Sequence, residues 1–124
     1  MLPATRCRGM RACFCKGGKM TFWELADLEL EEFRKGIMSK AKFGENLIMT
    51  CMEIGPGLED KGHTHPFDQC GIVLNGEIEM FIGEERKRLY SNEVYFIHAG
   101  ESHGWKTYED AVRLLDISSK PKLK

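Results

Sequence analysis

The chain has 124 residues, with 18 basic and 19 acidic side chains and a net charge of −1. That length supports one domain with a modest core and excludes two. No lysine–arginine stripe runs along any candidate helix or strand, which excludes an evident nucleic-acid footprint. Apolar runs such as those over 71–74 and 94–97 fall far short of the ~20 residues of a membrane helix, so a soluble protein with no membrane partner is expected.

Residues 1–19 carry five basic side chains, Arg6, Arg8, Arg11, Lys16 and Lys19, and no acidic one. Two readings stay open, a short targeting segment or an extension upstream of a true start at Met20. The expected organisation is a disordered N-terminal extension over 1–19 and a single folded domain over 20–124. The five cysteines are Cys7, Cys13, Cys15, Cys51 and Cys70. An odd count without a long apolar leader argues against a secreted disulfide scaffold and for a cytoplasmic protein. Cys7, Cys13 and Cys15 match no common zinc spacing, while Cys51 and Cys70 sit in apolar runs as small core residues.

After Met20, the spacing of Trp23, Leu25, Leu28, Leu30 and Phe33 fits a short helical turn leading into an extended arm. From Ile37 the pattern becomes short extended runs cut by glycine. Strands are expected over 47–54, 68–74, 77–82, 86–89, 94–97, 103–107 and 111–117. Asn75-Gly76 is a two-residue hairpin signal, and Ile78, Met80 and Ile82 alternate onto one face. About eight short strands with regular turn signals indicate an all-β antiparallel sandwich or barrel, with an interior able to hold one small ligand.

The chemistry is concentrated in Gly57-Leu-Glu-Asp-Lys-Gly-His63-Thr-His65-Pro-Phe-Asp-Gln69, completed by His103. In an extended strand residues two apart share a face, so His63 and His65 look the same way and Gln69 has their parity. Three imidazoles and a carboxamide oxygen meeting there make a neutral, open site for a divalent transition metal such as Ni, Zn, Mn, Fe or Cu. The opposing reading is a relic pocket in which Gln69 only hydrogen-bonds a neighbour. Val112, Leu114 and Asp116 share one strand face. Asp116 therefore follows two apolar residues into the interior, or faces solvent if the strand frays. His98, Trp105, Tyr95, Phe81 and Met80 read as surface, turn or packing residues.

These residues carry a resemblance to the cupins, small double-stranded β-helix (jelly-roll) domains. Gly57, His63, His65, Gln69 and Gly76 fall on the positions of the first cupin motif, with Gln69 where most members have glutamate. Asn92-Glu93-Val-Tyr-Phe-Ile-His98-Ala-Gly100-Glu-Ser-His103 has the spacing of the second, with Asn92 in place of glycine and His98 in place of proline. The resemblance covers about residues 37–118. An amide in place of a carboxylate leaves the ion its full charge, making it a stronger Lewis acid that is held less tightly.

Within that family, Gly44-Glu-Asn-Leu-Ile, His-x-His-Pro-x-x-Gln and Leu115-Asp116-Ile-Ser-Ser look similar to the KdgF-type pectin-degradation cupins, which ketonise 4,5-unsaturated uronates. The resemblance implies metal ligands at His63, His65, Gln69 and His103 and a functional aspartate at Asp116. It also implies a basic residue, usually arginine, near Lys122, although lysine lacks the bidentate fork of arginine. The expected function is thus a metal-dependent isomerase or ring-opening enzyme acting on a small anionic sugar derivative. An iron-dependent dioxygenase and a non-catalytic ligand-binding cupin are the alternatives. A homodimer is the expected assembly, because small barrels protect edge strands by pairing them.

Overall fold

The computed structural model describes residues 21–120, so the N-terminal extension, Cys7, Cys13, Cys15 and Lys122 lie outside the described residues. A 3₁₀ turn at Leu25–Asp27 gives way to β1 (Glu31–Arg34), the expected helical turn and extended arm. There follow β2 (Ile37–Phe43), β3 (Leu47–Ile54), β4 (Glu59–His63), β5 (Gln69–Asn75) and β6 (Ile78–Ile82). The last four are β7 (Glu85–Leu89), β8 (Val94–Ile97), β9 (His103–Thr107) and β10 (Val112–Ser119). No helix among the described residues is long and apolar enough to cross a membrane.

The strands form an all-β jelly roll of two antiparallel sheets, one ordered β1-β2-β3-β10-β5-β8 and the other β4-β9-β6-β7. Period-two alternation places Val112 and Leu114 of β10, Ile54 of β3, Val73 of β5 and Ile78 and Met80 of β6 in one buried apolar cluster. Because each sheet buries only its inner face, a one-residue slip would turn this set outward, which pins the register. Cys51 is fully buried but lies outside that cluster, on the side of β3 opposite the inward-facing Thr50 and Met52.

Two local expectations are corrected. Asn75-Gly76 does not close a hairpin, because β5 belongs to the larger sheet and β6 to the smaller. Only Gly76 of that pair has positive φ, at 93°, whereas a type I′ turn needs both, and the chain uses the bend to cross between sheets. Two-residue hairpins instead join β1 to β2 through Lys35-Gly36, with Arg34 opposite Ile37, and β6 to β7 through Gly83-Glu84, with Ile82 opposite Glu85 and Gly83 at φ 60°. Second, the chain does not stay extended from His63 to Gln69. β4 ends at His63, and Gln69 opens β5 in the other sheet. Their convergence comes from sheet closure and not from shared strand parity. Asn92, where the family motif has glycine, adopts φ 73°, a left-handed conformation that asparagine tolerates.

Candidate metal centre

His63 and His103 are cross-strand partners in the β4–β9 pairing, so their side chains leave the same face of the smaller sheet. His65 follows in the connecting loop. Its carbonyl accepts from the Gly100 amide at 2.7 Å, and its ring stacks on Phe67 with centroids 4.6 Å apart. One nitrogen from each of His63, His65 and His103 lies within 4.8 Å of the others, an arrangement that can hold a metal ion. The Nε2 atoms of His63 and His65 are 3.0 Å apart. With metal–nitrogen lengths of about 2.1 Å, two donors so spaced can reach one ion.

The partners of the other ring nitrogens fix the tautomers. His63 Nδ1 lies 3.1 Å from the Asp60 carboxylate and His103 Nδ1 lies 3.0 Å from the Glu101 carbonyl. Both partners only accept, so each Nδ1 carries the hydrogen and donates it, leaving Nε2 with a lone pair facing the cavity. His103 is buried, and its Nε2 has no hydrogen-bond partner. A buried polar atom without a partner is costly, and a cation would satisfy this one.

Gln69 supplies the second such atom. Its Nε2 donates to Asp116 Oδ2 at 2.9 Å, while its buried Oε1 has no partner. A carboxylate cannot donate, so Asp116 fixes which end of the amide is free, and that end is the oxygen. The hydrogen bond of the relic-pocket reading is therefore present, yet it uses only half of the amide. Asp116 itself is buried, facing inward as the Val112–Leu114–Asp116 alternation predicts. Burial pushes its carboxyl above the usual carboxylate range, and hydrogen bonds from Tyr95 and Gln69 pull it partly back.

Tyr95 is the participant that sequence reasoning assigned to packing. Asp116 pairs with Gly71, and Gly71 pairs with Tyr95, so the three lie in one row across β10, β5 and β8. Because Gly71 has no side chain, the tyrosine passes over it and donates its hydroxyl to Asp116 Oδ2 at 2.5 Å. A Cβ at Gly71 would lie 2.3 Å from the Tyr95 oxygen and 2.7 Å from the Leu115 carbonyl. Gly71→Ala is therefore expected to destabilise by about 1–3 kcal/mol, visible as a lower urea midpoint. An unchanged midpoint would show that β8 shifts freely and that the tyrosine contact is dispensable.

These residues line a cavity of about 610 Å³, together with Asp60, Trp105 and the apolar side chains of the core. Trp105 thus both packs on the core cluster and contributes to the cavity wall. His98 is exposed and lies apart from the cluster. Burial first, then His63 and His103, hold His65 below its ordinary value. The unfolded chain then takes up the proton first as pH falls. The metal-free protein should keep its full stability above about pH 6.5 and lose stability as pH falls below it toward the depressed folded value. Urea midpoints at pH 7.5 and 5.5 in chelator, compared with His65→Gln, check this; an equal drop in the variant contradicts it.

Two antiparallel sheets closed over an inward-facing histidine cluster define a small barrel with the cupin pattern. Residues 50–118 match the Cupin_2 family, described as a cupin domain, and the chain belongs to it. Within the family it is similar to "Pectin degradation protein KdgF" of Dickeya dadantii (strain 3937), with 30% identity over 91 residues, covering 72% of this chain and 83% of that protein. The structure of KdgF from Halomonas sp. has the same fold, with a TM-score of 0.73 and 22% identity, over 84% of this chain and 96% of that one. An RmlC-like cupin from Shewanella frigidimarina NCIMB 400 matches in fold with a TM-score of 0.72 and 21% identity, over 84% of this chain and 94% of that one.

Proposed function

We propose that this protein is a metal-dependent isomerase that ketonises a small anionic sugar derivative of the unsaturated uronate class. The observation that carries this reading is the pair of buried, unpartnered atoms, His103 Nε2 and Gln69 Oε1, in the same cavity as His63, His65 and a buried carboxylate. The likeness to KdgF, a pectin degradation protein, supports the choice of substrate class.

His63, His65, His103 and Gln69 would hold a divalent transition metal. When bound, the ion supplies Lewis-acid stabilisation of negative charge on a substrate oxygen, undiminished because all four donors are neutral. Ketonisation of an enol moves one proton from oxygen to carbon. In this reading Asp116 handles that proton. Both of its recorded hydrogen bonds go to Oδ2, from Tyr95 and Gln69, which leaves Oδ1 to take and return it. Burial raises the Tyr95 hydroxyl well above its ordinary range, so it stays a donor and holds the carboxylate in place. The basic role that the resemblance gives Lys122 remains part of this proposal.

The proposed donor set, three clustered imidazoles and a carboxamide that lines the same cavity, differs from the two-histidine, one-carboxylate set of non-haem iron oxygenases. The proposed assembly is a homodimer that covers edge strands such as β8, where Val94 and Phe96 are exposed. The proposed setting is the cytoplasm, consistent with free thiols at Cys51 and Cys70. Incubating metal-loaded protein with a 4,5-unsaturated uronate should speed its decay well above buffer, and an unchanged decay rejects the function.

A further inference from the structure

The cavity opens between two sheet edges. β1 is an edge of the six-stranded sheet and β4 an edge of the four-stranded sheet. Phe33 and Arg34 of β1 line the cavity on one lip, and Asp60 and His63 of β4 line it on the other. Adjacent residues of a regular strand face opposite ways, so Phe33 and Arg34 can both line one space only if the strand is irregular. It is. Glu32 pairs with Met38 but Arg34 pairs with Ile37, so Phe33 is an extra residue and β1 carries a bulge. Bulges re-aim side chains beside functional sites.

Charge gives this placement its meaning. The carboxylates that line the cavity are Asp60 and Asp116, and Arg34 is its only lysine or arginine among the described residues. Asp60 is engaged by His63, and Asp116 by Tyr95 and Gln69. Arg34 makes no ion pair among the described residues, and its guanidinium carbon rests 5.6 Å from the Phe33 ring centroid. The two carboxylates offset the charge of the proposed ion, so a further cation at the mouth would favour entry of an anion against desolvation and repulsion. The row containing Arg34 reaches Ile54 through Ile37, four residues along β3 from Thr50, the partner of Asp116. Arg34 thus stands about 13 Å along the strand direction and three strands, about 14 Å, across the curved sheet from Asp116, at the far end of the cavity that both line.

We propose that Arg34 is the specificity residue that recognises the carboxylate of the ligand at the cavity mouth, taking it bidentately while Phe33 packs beside the ligand. This rests on the reading of the cavity as the site of an anionic sugar derivative. It adds a basic group on the bulged lip of β1 to the one that the resemblance implies near Lys122.

The test is calorimetric titration of metal-loaded protein with galacturonate and with its neutral methyl ester. Wild type should bind the acid about tenfold to a hundredfold tighter than the ester. Arg34→Gln should bring that ratio close to one with thermal midpoint and metal content unchanged. Arg34→Lys, which keeps the charge and the fold but not the fork, should fall between. Equal binding of acid and ester by wild type, or a ratio preserved in both variants, overturns the proposal. The two readings separate cleanly. Normal uronate turnover with an intact acid preference in Arg34→Gln keeps the proposed reaction and rejects this role. An Arg34-dependent preference without turnover does the reverse.

Discussion

Asp116→Asn is expected to lower turnover of an unsaturated uronate by about 10²–10⁴-fold, the usual contribution of a positioned general acid–base group, while metal content stays unchanged. The substitution keeps the shape of the side chain and an oxygen that can accept from Tyr95 or Gln69, but it removes the site that takes up a proton. It also replaces a buried carboxylate, which burial already disfavours as an anion, so the fold should tolerate it. Michaelis kinetics and elemental analysis of the same preparation decide the matter. Turnover within a few-fold of wild type would remove Asp116 from the chemistry. Loss of metal with loss of turnover would instead assign it the task of orienting Gln69.

His103→Ala should have the second large effect. This imidazole is buried, its Nδ1 hydrogen is committed to the Glu101 carbonyl, and its Nε2 has no protein partner. Removing it takes away a donor of the cluster outright. Metal affinity should fall by more than the 10- to 100-fold typical when only a supporting partner is lost, and turnover should fall with it. Asp60→Asn is the useful comparison, because Asp60 offers the cluster no donor of its own and supports it through the Nδ1 of His63. It should weaken metal binding by about 10- to 100-fold. Equal metal retention in wild type and His103→Ala would show that the unpartnered nitrogen serves another end.

Much of the fold was legible because it depends on local alternation. The strands over 47–54, 94–97 and 103–107 have the bounds that pattern predicts, and His63 and His103 converge as the motif spacing implied. What stayed hidden depends on pairings distant in sequence. That Tyr95 reaches Asp116 is decided by the registers of β10 with β5 and of β5 with β8. The one local hint was a glycine at 71 inside an apolar run, a sign of close approach within a strand. The lip at Phe33 and Arg34 was hidden for a similar reason, since a bulge breaks the period from which a facing is read. Asn75-Gly76 has hairpin chemistry, but which sheet each flanking strand joins is settled by the closed barrel and not by the dipeptide.

The account stands on one cation being shared by His63, His65, His103 and Gln69. Elemental analysis of protein purified without chelator, followed by titration of the stripped chain with a transition-metal salt, addresses this directly. One ion per chain is predicted, and it should be lost when the three histidines are replaced together. A chain that takes up no ion, or that keeps its ion after the triple replacement, would contradict the account.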